Sequence, residues 1–170
     1  MSVSFLEQAK IQAQVLVPLL KAFQAEVGTE RANEIARKAL RNWALQIGQQ
    51  ISAQGSGTPA EKMAAVLPAF SADDAHDIDV LKQTSDAFEF NVTRCRYAQF
   101  YQELGEPELG FLFMCSQDFP ITEGLSPDLE LVRTQTIMQG AKYCDFRWRM
   151  KSKGSQAETS ELLGESEPIT

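Results

Sequence analysis

"DIDVLKQTSDAFEFNVTRC", Asp77–Cys95, is where the chain changes period. Two short runs, Asp77–Thr84 and Phe88–Cys95, are rich in β-branched and aromatic residues and flank "SDA". That pattern reads as a hairpin. Strands joined by a tight turn are antiparallel. A second pair stands near the C-terminus: "LELVRTQTIM", Leu129–Met138, and "YCDFRWRMK", Tyr143–Lys151, joined at "QGAK". Two hairpins predict a four-stranded antiparallel sheet.

Upstream of Asp77 the spacing is helical. Ala32, Ile35, Ala36, Ala39, Leu40, Trp43, Ala44, Ile47 and Ile51 form one apolar stripe over residues 30–52. Residues 4–26 also read as helix, with a kink or break expected near Val17 because Pro18 removes a backbone donor. Gly28 ends that segment, and Thr29 is the expected cap of the next. Thr58, Pro59 and Glu61 spell a capping box with proline at the first helical position, which predicts a short helix over 59–70. "SADDAHD" reads as a polar loop holding His76. Between the hairpins, "YAQFYQELG" and "PELGFLFMCSQDF" read as two short helices, followed by a Pro-Ile-Thr-Glu-Gly loop. The class is α+β: N-terminal helices plus a four-stranded antiparallel sheet with helices on one face. One domain is expected over 1–151. Residues 152–170, polar and acidic, are expected to be disordered.

The chain has 170 residues and a net charge of −7. That charge argues against a nucleic-acid partner, which needs a basic footprint. No apolar run reaches the ~20 residues that span a bilayer, so no membrane partner is expected. Three cysteines at wide spacing are not a secreted disulfide framework, and a cytoplasmic location is expected. A homo-oligomer is compatible with the sequence.

Strand alternation sorts the candidate site residues. Cys144, Phe146, Trp148 and Met150 share one face, and Tyr143, Asp145, Arg147 and Arg149 share the other. In the earlier strand Phe88, Phe90, Val92 and Arg94 share one face, and Glu89, Asn91, Thr93 and Cys95 share the other. Cys115 and Asp118 fall on one face of a helix. A thiol beside a carboxylate could be a nucleophile with a general base, but activating it needs a positive neighbour, a helix N-terminus or a metal. Arg94, Arg96 and Arg133 are the candidate positive groups. His76 is the only histidine, so a Cys-His dyad would have to recruit it. Three thiols and a carboxylate are also donors that zinc accepts, although no short C-x-x-C spacing is present. No cofactor is required by any motif.

Four ordered pieces carry a resemblance: "NVTRCRYAQFYQELG", the C-x-x-D-F around Cys115 and Asp118, "LVRTQTIMQGA" and "YCDF". Together they resemble the L-2-amino-thiazoline-4-carboxylic acid hydrolase family. The resemblance implies a small-molecule substrate and hydrolysis of a cyclic amidine-like C–N or C–S bond. Its motif positions in this chain are Asn91, Thr93, Arg94, Cys95, Cys115, Asp118, Arg133, Thr134, Gln135, Cys144 and Asp145. Chemical suitability makes Cys115, Cys95 and Cys144 candidate nucleophiles and Asp118 and Asp145 candidate proton carriers. Arg94 and Arg133, with Asn91, Thr93 and Gln135, are candidate substrate contacts. The alternative on the same scaffold is a non-catalytic small-molecule-binding or redox-responsive domain.

Overall fold

The computed structural model describes residues 3–152. Six α-helices and four strands follow one another within them. They are α1 (Phe5–Val27), α2 (Thr29–Ala53), α3 (Pro59–Phe70), β1 (His76–Gln83), β2 (Ala87–Cys95), α4 (Arg96–Glu103), α5 (Pro107–Phe113), α6 (Asp118–Leu125), β3 (Leu129–Val132) and β4 (Cys144–Met150). The strands make one antiparallel sheet in the order β1-β2-β4-β3. The α+β architecture is as the periodicity indicates. The expected disordered tail lies outside the described residues from 153 onward. Among the described residues no helix is long and apolar enough to cross a membrane.

Helix α1 runs through Pro18 without a break. The missing N–H leaves the Gln14 carbonyl free, but Gln14 and Pro18 are both exposed, so water can take that acceptor. Ala13, Val17 and Leu20 on the other side are buried against α4 and α5, and this packing overrides the local preference. Gly28, at φ 87°, caps α1 and opens α2, so Thr29 is already helical. The Thr58–Glu61 capping box is present, and α3 continues past Pro68 to Phe70.

One face of the sheet is apolar. Phe88, Phe90, Val92, Leu129, Leu131, Cys144 and Trp148 pack under Ile51 of α2, Ala60 and Met63 of α3 and Leu125 of α6. The outer face is polar. Arg149 bonds Glu89 at 2.8 Å, and Arg147 bonds the Asn91 side chain at 2.8 Å. The basic residues of β4 are thus engaged within the sheet.

The alternation of β2 changes at Thr93. Asp77 pairs with Arg94, but the next residue, Ile78, pairs with Val92, so Thr93 is an extra residue. Such a bulge reverses which face the following side chains take. Arg94 therefore goes outward and Cys95 inward, the opposite of strict alternation.

Two further departures shape the interior. The expected helix over 107–119 stops at Phe113, and a 3-10 turn, Cys115–Gln117, leads into α6. The Pro-Ile-Thr-Glu-Gly segment lies within α6, because Pro120 falls in the first turn, where N–H groups have no helical acceptor anyway. Helix α6 lies directly on α2: a Cβ at Gly48 would stand 2.1 Å from the Ile121 carbonyl oxygen, and one at Gly124 would stand 2.2 Å from that of Leu45. Strand β3 ends at Val132, and residues 133–143 form a folded connection with a 3-10 turn, Ile137–Gln139.

Candidate functional site

The end of β3, the corner between α5 and α6, and the start of β4 converge on Arg133. Its side chain is only 2% exposed and is paired with the Asp118 carboxylate at Oδ2. A second N–H donates to the Cys115 carbonyl at 2.9 Å. The guanidinium lies over the rings of Phe111, Phe119 and Phe146, with centroids 6.0, 5.1 and 5.2 Å away. Cations stack favourably on aromatic faces at such distances. Asp118 keeps 30% of its side chain exposed, and its Oδ1 makes no hydrogen bond among the described residues. Burial pushes its carboxyl up to about 6, with Arg133 pulling against that rise. A carboxyl with that value is suited to moving protons near neutral pH.

Cys144 and Asp145 explain how Arg133 is held. Their side chains leave opposite faces of β4 and seize the same connection. Asp145 accepts from the backbone N–H groups of Thr134 and Gln135, both at 2.9 Å, and from the Thr134 hydroxyl at 2.6 Å. The Cys144 sulfur accepts from the N–H of Ile137 at 3.2 Å. Desolvation works against the Asp145 carboxylate, but these hydrogen bonds hold it below the usual range. The Thr136 hydroxyl caps the following turn through Gln139, and Gly140 closes it at φ 94°. Gln135 ties the connection to the Tyr143 carbonyl at 3.1 Å. Asp145 and Gln135 therefore position Arg133 from outside the buried pair.

The three thiols gather in the same interior. Cys95 packs against all three apolar clusters of the protein, Cys115 against the one holding α1, α4 and α5, and Cys144 within the sheet core. Burial raises the pKa of all three thiols, and the Asp118 carboxylate adds to that rise. Burial raises Cys95 to about 11 despite the hydrogen bond from the Ala98 N–H. It raises Cys115 well above the ordinary thiol value, with Asp118 adding to the rise, and it raises Cys144 as well. All three are neutral thiols at pH 7. Among the described residues, no three His, Cys, Asp or Glu side chains are grouped so as to hold one metal ion. The zinc arrangement open to the sequence is not formed by these donors.

Other candidates stand elsewhere. Arg94 lies on the outer edge, bonded to Asp74 at 2.7 Å and to Asp77 at 2.7 and 2.8 Å, so the bulge takes it away from the buried pair. Arg96 bonds the Asp73 carbonyl. Thr93 is exposed, and Asn91 is occupied by Arg147 on the polar face. Cys115 and Asp118 do not share one helical face, because the backbone turns between them. They meet through Arg133 instead.

His76 is in β1 rather than a loop. It stacks on Tyr97 with ring centroids 5.2 Å apart and pairs with Cys95 in the ladder. Burial, with Arg94 nearby, lowers its pKa to about 4. Moving a proton from the Cys95 thiol to this imidazole crosses a gap of about seven pH units, ~10 kcal/mol at 1.36 per unit. The pair does not form a thiolate–imidazolium dyad.

Phe111, Phe119 and Phe146 are not among the site residues expected from the sequence. Phe111 and Phe119 bracket the C-x-x-D piece, and that proximity was the available signal. Phe119 is 42% exposed on its outer side. Two shallow surface depressions flank it, one with Thr122, Ser126 and Leu131 and the other with Arg37, Lys38 and Gln117. Neither is lined by a cysteine. The Phe119 ring therefore separates surface depressions from the Arg133 guanidinium.

No curated protein sequence matches the chain. Among solved structures, the chain is similar to the crystal structure of the phenol-responsive sensory domain of the transcription activator PoxR with phenol. That match has 12% identity, a TM-score of 0.51, and covers 89% of this chain and 81% of the other. At that identity the likeness concerns the fold alone. The family model matches residues 8–148, a range that includes Phe111, Cys115, Asp118, Phe119, Arg133 and Phe146. The chain belongs to the L-2-amino-thiazoline-4-carboxylic acid hydrolase family.

Proposed function

We propose that this protein hydrolyses a small ring compound of the 2-amino-thiazoline-4-carboxylate class, with Asp118 and Arg133 as the working pair. The carrying observation is a guanidinium enclosed by three rings and joined to a carboxyl whose pKa is about 6. Such a substrate carries an anionic carboxylate and an amidine-like ring carbon between sulfur and nitrogen. The Arg133 fork matches the carboxylate. Arginine has five N–H donors, and those not used on Asp118 and Cys115 serve the substrate once Phe119 swings aside.

Asp118 Oδ1 accepts a proton from water as the water oxygen bonds to the ring carbon; the C=N π pair moves onto nitrogen, which takes that proton from Asp118, and a tetrahedral adduct forms. The adduct's hydroxyl then loses its proton to Asp118 as C=O forms, the C–N or C–S bond breaks, and the electron pair leaves with ring nitrogen or sulfur, which takes that proton. One water is consumed and a carbamoyl-cysteine results. Direct attack by water is preferred over a thiolate because all three thiols are held neutral by burial. The cysteines stay packed in the apolar interior.

A second reading is a non-catalytic binding domain, and the near-complete enclosure of Arg133 favours it. The PoxR domain, whose fold is similar, is described as phenol-responsive. Turnover separates the two readings. Hydrolysis predicts loss of ring proton signals when the chain is incubated with 2-amino-thiazoline-4-carboxylate, and a KM at least ~10-fold higher for Arg133→Lys, which keeps the charge but loses the fork. A ligand-dependent rise in melting temperature without ring opening would reject hydrolysis and support the binding domain.

A further inference from the structure

Helix α1 has two apolar faces, and the fold covers only one. Leu6, Ala9, Ala13, Val17 and Leu20 are buried. Ile11, Val15, Leu19, Phe23 and Val27 recur every four residues and remain 48–65% exposed. Residues four apart are neighbours on a helix, so these five form one ridge. From Ile11 to Leu20 the helix carries no charge. The flanking lysines are engaged within the chain, Lys10 with Glu7 at 2.7 Å and Lys21 with Glu106. A water-facing helix surface ordinarily carries charged and polar residues.

The size of the ridge is informative. Five half-exposed side chains leave roughly 400 Å² of apolar surface, comparable with the largest patch on a typical monomer, which is often functional. A standard interface takes about 800 Å² from each partner. Gln8, Gln12 and Ala22, exposed beside the ridge, supply neutral rim surface for much of the remainder.

We propose that this ridge is a homodimer interface, occupied by α1 of a second copy packed antiparallel. A two-fold interface must be self-complementary. With the axis at the level of Val17, Ile11 faces the partner's Phe23, and Val15 faces the partner's Leu19. Glu26 falls beside the partner's Gln8, so no like charges are opposed. Depletion of charge at the centre with polar residues at the rim is the usual anatomy of such a contact.

Light scattering after size exclusion tests this on the full chain at micromolar concentration. The expected mass is that of a dimer. Val15→Glu with Leu19→Glu places four carboxylates at the centre, and the dissociation constant should rise at least ~100-fold, since opposed like charges cost several kcal/mol. Circular dichroism checks that the double variant folds. Should it not fold, an equal mixture of Val15→Cys and Leu19→Cys chains gives an independent reading: mild oxidation should join one variant to the other, because Val15 faces the partner's Leu19. A monomeric wild type, a folded double variant that stays dimeric, or a mixed dimer in which the Val15→Cys and Leu19→Cys chains fail to cross-link overturns the proposal.

Discussion

Replacing Arg133 by Met keeps most of the side chain's volume and removes its charge from the enclosure. Asp118 then loses its counterion, and the Cys115 carbonyl loses its donor. Breaking a buried ion pair from one side costs about 3–5 kcal/mol. Solvent reaches 30% of Asp118, which argues for the lower end, about 3 kcal/mol at pH 7.5. The pH dependence gives the sign of the effect. The Asp118 carboxyl is raised in the folded state to about 6, above its unfolded value near 3.8. Its contribution to stability is therefore complete below 3.8 and is lost as pH rises through 6. Without Arg133 the folded value climbs further, and the loss continues above pH 6. Urea unfolding followed by tryptophan fluorescence at pH 5 and pH 7.5 measures both quantities. The variant should be about 3 kcal/mol less stable at pH 7.5 and about 1 kcal/mol less stable at pH 5, where only the carbonyl's lost hydrogen bond remains. A destabilisation equal at the two pH values, or below about 0.5 kcal/mol at both, would refute the electrostatic link between Arg133 and Asp118.

Asp145→Ala removes three hydrogen bonds from the connection after β3 and should cost about 2 kcal/mol, with faster hydrogen exchange at Thr134 and Gln135. Because its carboxyl is held below the usual range, this contribution is present above the unfolded value and fades as pH falls through the folded one; a pH-independent effect would count against the clamp. Gly48→Ala forces α2 and α6 apart at a point of backbone contact, and a loss of about 3 kcal/mol, or ~6–12 °C in Tm, is expected. Unchanged melting would show that the two helices do not touch there. Iodoacetamide at pH 7.5 should label Cys95, Cys115 and Cys144 slowly in the native protein and rapidly in urea, as mass spectrometry would show; rapid native labelling of any one would mark an activated thiol.

What the sequence revealed and what it hid follow from the range of the interactions. The α2 stripe and the Thr58–Glu61 box are local patterns, written within a few residues. The hairpin of β1 and β2 is nearly as local. The bulge at Thr93 has no compositional mark, and one extra residue was enough to exchange the faces of Arg94 and Cys95. Helix α6 was hidden by Pro120, a residue tolerated only in a first turn. Residues 133–138 look like strand because threonine and isoleucine suit one, but Asp145 and Cys144 supply side-chain acceptors in place of a ladder. His76 reads as a loop residue because its partner, Tyr97, lies on a different element. The rings around Arg133 come from α5, α6 and β4, so only tertiary structure brings them together.

The pH–rate profile of the wild-type chain beside Asp118→Asn, on 2-amino-thiazoline-4-carboxylate, tests the central claim most directly. Hydrolysis by the wild type should increase as pH rises through about 6, where the carboxyl ionises, and the asparagine variant should fall at least ~100-fold with that rise abolished. A folded Asp118→Asn that turns over the compound at the wild-type rate with the same profile would contradict the assignment of Asp118 as the base.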